Sequence, residues 1–229
     1  MAALLLGVTQ VAPYLDGPAG AHGVLDQAAR ALDGIADHVG LDAVEVRDVR
    51  RLDPDLLEQA AAIALFTIGE TPWSPAQRSV LWDRLRSGRL GVVAIHSATD
   101  SCHGWPDYGR LVGARFDGHP WTTTVSLDVV DPTHPACAHL GPTWRWHDEI
   151  YLFRELRPDA RVLLRVPDDA LDMSVAGARR PDCGFPLSWC FDEGDGRVFS
   201  TSLGHFPAAW ESTTFLRHLA EGLRWVLPQ

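Results

Sequence analysis

The chain has 229 residues, 46% hydrophobic and 22% charged, enough to bury a large core without a disulfide framework or structural metal. Asp plus Glu total 30 against 20 Lys plus Arg, and the net charge of -10 argues against a nucleic-acid backbone as the main partner. No stretch of about 18 apolar residues occurs, so no membrane partner is expected. Cys102, Cys137, Cys183 and Cys190 show no C-x-x-C spacing, so a cytoplasmic protein with free thiols is expected.

Ala3 to Val8 is a continuous apolar run that fits a strand covered on both faces. A polar, glycine-containing stretch follows through Asp16, Gly17 and Gly20. Its spacing to Gly23 is not that of a dinucleotide fingerprint. Val24, Leu25, Ala28, Leu32, Ile35 and Val39 then recur at helical spacing, and Gly40 is placed to stop that helix. Strands are expected at Ala43 to Val49, Ala62 to Ile68 and Leu90 to Ile95. Ser74 and Pro75 form a helix start between the last two. Strands joined by helices imply crossover connections and parallel neighbours.

The second half is less regular. A short helix is expected from His103 to near Val112. Thr123 to Val129 alternates, as a half-exposed antiparallel or edge strand does, and through such an edge a homodimer could form. Arg161 to Val166 and Pro186 to Phe191 are further strands. The second of these pairs through a turn with Arg197 to Ser202, and Phe215 to Val226 closes the chain as a helix. Asp168 to Pro181 reads as a variable loop from which Arg179 and Arg180 reach over a cleft. No internal repeat or linker divides residues 1–229, so one domain is expected.

The polar residues that follow apolar runs are the informative ones. Glu70 follows one strand, His96 and Ser97 another, and His205 a third. In open α/β sheets, ligands bind outside the carboxyl ends of the strands. A lone histidine at a strand end is more often structural than functional, but several polar ends at one sheet edge make a candidate site. His119, Glu149, Trp105 and Tyr151 could line the same place. Catalytic roles are expected for His96, His119, Glu149 and His205, and substrate contacts for Glu70, Ser97, Trp105 and Tyr151. His38, His134, His139 and His218 receive no role; His218 is expected on the exposed side of the last helix. No cofactor is expected. No H-E-x-x-H or similar spacing marks a metal site, although a divalent ion on His96, His119, Glu149 and His205 is chemically open.

A set of short segments in fixed order resembles the ThuA-like family, associated with trehalose utilisation. They are Ala94-Ile95-His96-Ser97-Ala98-Thr99, Trp105 through Tyr108, Leu111-Val112-Gly113-Ala114, Phe116 with Gly118-His119-Pro120, and His134-Pro135. They continue through Asp148-Glu149-Ile150-Tyr151, Pro186-Leu187-Ser188-Trp189, Gly196-Arg197-Val198-Phe199, Leu203-Gly204-His205 and the segment from Trp210 to Trp225. The resemblance implies a three-layer α/β sandwich with a mainly parallel central sheet, similar to the flavodoxin-like fold of class I glutamine amidotransferases. Those enzymes carry a cysteine on a strand-to-helix elbow, served by a histidine on a later loop. Here His96-Ser97 stands at the elbow and Cys102 lies beyond it, which argues against a thiol-dependent glutaminase. Ser97 could replace the thiol with His205 as base, but the elbow lacks the G-x-S-x-G glycines. The resemblance points to an enzyme acting on a sugar or oxidised sugar. The alternative is a non-catalytic carbohydrate-binding or structural protein that kept the fold.

Overall fold

The computed structural model describes residues 3–12 and 24–229; the expected Asp16-to-Gly23 stretch lies outside the described residues. In chain order the elements are β1 (Ala3–Val11), α1 (Leu25–Val39), β2 (Leu41–Val46), α2 (Pro54–Gln59), β3 (Ala60–Ile68), α3 (Pro75–Arg86), β4 (Gly91–Ile95), α4 (Tyr108–Val112) and β5 (Arg115–Phe116). They continue with β6 (Trp121–Val129), β7 (Thr143–Ile150), β8 (Phe153–Arg154), β9 (Arg161–Arg165), β10 (Pro186–Glu193), β11 (Gly196–Thr201), α5 (Pro207–Glu211) and α6 (Thr213–Val226).

Nine of these strands form one sheet in the order β2-β1-β3-β4-β11-β10-β9-β6-β7. β2, β1, β3 and β4 are parallel neighbours, as the apolar runs predict, and β11, expected only as a hairpin strand, adds parallel to β4. From β11 outward the pairings are antiparallel. Because those reversals alternate, only β10 and β6 run against the rest.

Alternate residues of the central strands feed two separate cores. Leu5, Ala62, Ala64, Val93 and Ile95 pack with α1 and α6. Leu6, Val8, Ile63, Leu65, Val92 and Ala94 pack with α2, α3 and α4. The period-two side-chain alternation of a strand thus generates the three layers.

Local chemistry sets the helix ends. Gly40 stops α1 at φ +81°, with its N–H returned to the last turn. Ser74 and Gln77 form a capping box at the start of α3. Gln77 is also buried, and its amide donates to the carbonyls of Val49 and Leu52. α4 begins only at Tyr108, later than the expected start at His103, and is capped by Gly113. A Cβ on Gly113 would lie 2.5 Å from the Trp189 indole nitrogen, so this close approach requires glycine.

Two expectations need correction. β7 was not expected as a strand, because Arg145, His147, Asp148 and Glu149 mask its apolar alternation; it, rather than β6, forms the edge on that side. His218 is fully buried on α6, not exposed. Its Nδ1–H donates to the Ala136 carbonyl at 2.8 Å, and its Nε2 faces the Ser188 hydroxyl. Among the described residues no helix is long and apolar enough to cross a membrane.

Burial holds His218, and likewise His134, neutral: each pKa falls from 6.5 to about 4. Below about pH 6.5 the unfolded chain takes up protons that these folded imidazoles refuse, so stability declines as pH drops from 6.5 toward 4. The thermal midpoint should fall between pH 7.5 and pH 5, with a shallower slope in His218→Gln. A midpoint flat over that range would contradict this account.

Candidate functional site

The carboxyl ends of β3, β4, β11 and β7 and the start of β6 share one edge of the sheet, and each carries a polar side chain. His96 directly follows β4, at φ +50°. A non-glycine residue held there costs of order 1–3 kcal/mol, a strain usually found at functional positions. This tight turn aims the ring back over the sheet edge. The ring is fully buried, and its Nδ1 lies 2.8 Å from the Ser202 carbonyl, to which only an N–H can donate. Nε2 is therefore the bare nitrogen, and it accepts from the Tyr151 hydroxyl at 3.0 Å.

β11 lies beside β4, so the loop that follows it brings His205 to the same point. His205 Nδ1 is 3.2 Å from His96 Nε2 and 3.1 Å from Glu149 Oε2. Glu149 stands near the end of β7, its Oε2 3.7 Å from His96 Nε2 and its Oε1 3.6 Å from His119 Nδ1. His119, just ahead of β6, is the most open of the group, its side chain 43% exposed against 12% for Glu149. Its ring lies near those of Phe116 and Tyr151, and Phe206 packs edge-on against His205.

A buried carboxylate holds this arrangement. Asp148 Oδ2 accepts from the Gly204 N–H at 2.9 Å and the Trp146 indole N–H at 3.0 Å. Oδ1 accepts from the backbone N–H groups of Glu149 and His205. The carboxylate thus ties the end of β7 to the loop after β11.

Environment drives the ionisable groups apart. Burial lowers the His96 pKa to about 4, against the pull of the Ser202 carbonyl. The hydrogen bond to Glu149 raises that of His205 in spite of partial burial. Burial would raise Glu149, but its hydrogen bond with His205 and the neighbouring imidazoles bring it below the usual carboxylate range. Burial raises Asp148, opposed by hydrogen bonds from Gly204, Trp146 and Glu149 and by the nearby His205, and burial raises the Tyr151 phenol. The arrangement can transfer protons, or hold a cation: His96, Glu149 and His205 each offer one ligand atom within a 4.8 Å cluster.

The other expected residues fall nearby in different settings. Glu70 is exposed beyond β3, where its carboxylate accepts the Gly104 N–H at 2.9 Å. Ser97 is buried, and its Oγ has no hydrogen-bond partner among the described residues, hence no base beside it there. Trp105 is buried against Trp73 and Tyr108, so it acts as core packing. Cys102 is buried against Thr71, and burial raises its thiol pKa, so it is no activated nucleophile. Arg179 holds the Asp117 carbonyl and carboxylate, anchoring the 167–182 loop beside His119. The organising role of Asp148 escapes the sequence reading. The signal is an acid on the inward face of β7, in line with Trp146 and Ile150.

A mostly parallel α/β sheet flanked by helices, with a histidine at the turn after a central strand, is the fold of the three-layer α/β sandwich class. The family described as "Trehalose utilisation" (ThuA) matches residues 15–226, and the chain belongs to it. Among solved structures, a ThuA-like protein from Bacteroides uniformis superposes with a TM-score of 0.77 at 18% identity, covering 98% of this chain and 90% of that one. Another, from Parabacteroides merdae, gives 0.74 at 20% identity, over 100% and 92%. A GMP synthase protein from Thermoplasma acidophilum gives 0.52 at 10% identity, over 98% and 96%. At such identities these likenesses show the fold alone. No curated protein matches the sequence.

Asp148→Ala should leave the buried N–H groups of Gly204 and Trp146 unsatisfied, at a cost of about 2–4 kcal/mol. For a chain of this size that lowers the thermal midpoint by several degrees, and proteolysis should quicken at the 203–206 loop. A variant as stable and protected as the parent would remove Asp148 from this role.

Proposed function

We propose that the protein is an enzyme of carbohydrate metabolism that transfers protons to and from a sugar, or an oxidised sugar derivative, at the His96–Glu149–His205 cluster. One observation carries the reading: Nε2 of His96, Nδ1 of His205, Oε2 of Glu149 and the Tyr151 hydroxyl cluster together although they come from three different strand ends, those of β4, β11 and β7. A binding or structural module gains little from burying such groups together, because desolvation is costly and an apolar core would be more stable. Family membership supports the substrate class. The exposed ring of His119 beside Phe116, and Phe206 beside His205, offer flat faces of the kind on which sugar C–H groups rest.

Tyr151 and His205 are the proton carriers in this reading, and Glu149 orients His205 through its Nδ1–H. His119, at the open side, contacts the substrate. Ser97 takes no covalent role. The four free cysteines fit a reducing compartment, and we place the protein in the cytoplasm.

The test is turnover of a panel of disaccharides and their keto derivatives, followed by NMR. His205→Ala and Glu149→Gln should lower kcat/KM about 100-fold or more, with folding intact. Ser97→Ala should stay within a few-fold of the parent. A loss of about 1000-fold in S97A would make Ser97 the nucleophile and overturn the assignment. Unchanged turnover in both H205A and E149Q would move the reaction elsewhere.

A further inference from the structure

The geometry points to a divalent transition-metal site, of the zinc type, formed by His96 Nε2, Glu149 Oε2 and His205 Nδ1. The inference deepens the proposed function, since it concerns the same cluster: with the ion bound, His205 Nδ1 loses to solvent the proton that otherwise points at Glu149 and becomes a ligand, so proton transfer falls to Tyr151. It does not depend on which sugar is used.

Three observations carry it. The first is the triangle itself, with edges of 3.1, 3.2 and 3.7 Å. Ligands about 2.1 Å from a tetrahedral ion stand about 3.4 Å apart, so a point about 2 Å from all three atoms lies just off the plane of this triangle. The second is proton accounting. His205 Nδ1 faces both the bare Nε2 of His96 and a carboxylate oxygen, and its single N–H cannot point well at both. A cation at the centre serves all three lone pairs at once. The Tyr151 hydroxyl, now donating to His96, also has Glu149 within hydrogen-bonding reach and can turn to it, which frees Nε2. The third is the support behind the ligands. His96 donates its other ring N–H to the Ser202 carbonyl, the usual arrangement of a metal-bound imidazole. Asp148 fixes the backbone N–H groups of both Glu149 and His205. His119 Nδ1 lies 3.6 Å from the second oxygen of Glu149, on the exposed side, where a fourth position for water or a sugar hydroxyl would open.

Two imidazoles and one carboxylate select zinc, cobalt, nickel, manganese or iron over magnesium and calcium. Bound there, the ion would polarise a sugar hydroxyl or carbonyl oxygen. The ligands sit on separate strand ends, so no contiguous spacing announces them.

The test uses the full chain, stripped with a chelator, dialysed, and titrated with cobalt(II) read by its visible absorption, then with zinc in competition. One equivalent should bind, and zinc should raise the thermal midpoint. Glu149→Gln and His205→Ala should each weaken binding about 100-fold or more and abolish that rise, since losing even an outer partner of a ligand costs 10–100-fold. His96→Ala should do the same where it folds. His103→Ala, which breaks only the exposed His103–Asp100 pair, should bind like the parent. Failure of the parent to bind cobalt or zinc at millimolar concentration overturns the site, as does binding that survives in both E149Q and H205A. Metal loading is read without sugar. Loading with no turnover of any sugar would therefore count against the proposed function and leave the site standing, while turnover by a parent protein that takes up neither cobalt nor zinc would do the reverse.

Discussion

The buried carboxylate of Asp148 is the contact on which the site depends. β4 and β7 lie five strand steps apart in the sheet, about 24 Å if it were flat. Yet Glu149, near the end of β7, lies 3.7 Å from His96, directly after β4, and 3.1 Å from His205 on the loop after β11. The antiparallel half must curl back toward the parallel half, and Asp148 locks the two where they meet by accepting N–H groups from both. A neutral side chain there would leave donors unpaired in a dry place, so the acid is retained at a desolvation cost that its four donors offset. Trp146 adds an apolar clamp, packing on Phe215 of α6 while its indole N–H reaches the same carboxylate.

The strand-to-helix elbow shows how one backbone device serves a different chemistry. The turn after β4 forces its first residue to positive φ and points that side chain at the sheet edge. Here it is an imidazole whose tautomer is set by the Ser202 carbonyl on the neighbouring loop. The next residue, Ser97, is turned into the protein and buried. The geometry gives a serine or thiol nucleophile no support: the Ser97 hydroxyl has no hydrogen-bond partner among the described residues, and Cys102 is buried against Thr71, where burial favours the neutral thiol.

Much of this was legible in the chain. The parallel strands announce themselves as apolar runs because both faces are covered, and α1 and α3 by their caps. The strand-end rule picks out His96 and His205, and Glu149 follows from the ordered motifs. β7 was hidden because its outward residues and its one inward acid are charged, so neither a run nor a clean alternation remains. His218 was misread because a histidine amid Leu and Ala on α6 looks polar from composition alone. Only the fold reveals the Ala136 carbonyl and the Ser188 hydroxyl that receive it. Trp105 drew attention by its position beside polar residues, while its ring was needed between Trp73 and Tyr108.

The two halves of the sheet divide the chemistry between them. The parallel half contributes His96 and His205, placed by strand ends that are rigid and buried on both faces. The antiparallel half contributes Glu149, Tyr151 and His119, and none of these acts on the imidazoles until β7 has docked. The curled strands carry more exposed positions than the central ones, so local opening there costs less than global unfolding. Opening would separate Glu149 from His205, release its influence on that imidazole and break the cluster while the core stays folded. In the proposed enzyme, activity is then coupled to the docking of β7 rather than to the stability of the whole domain, and the Asp148 carboxylate sets that coupling.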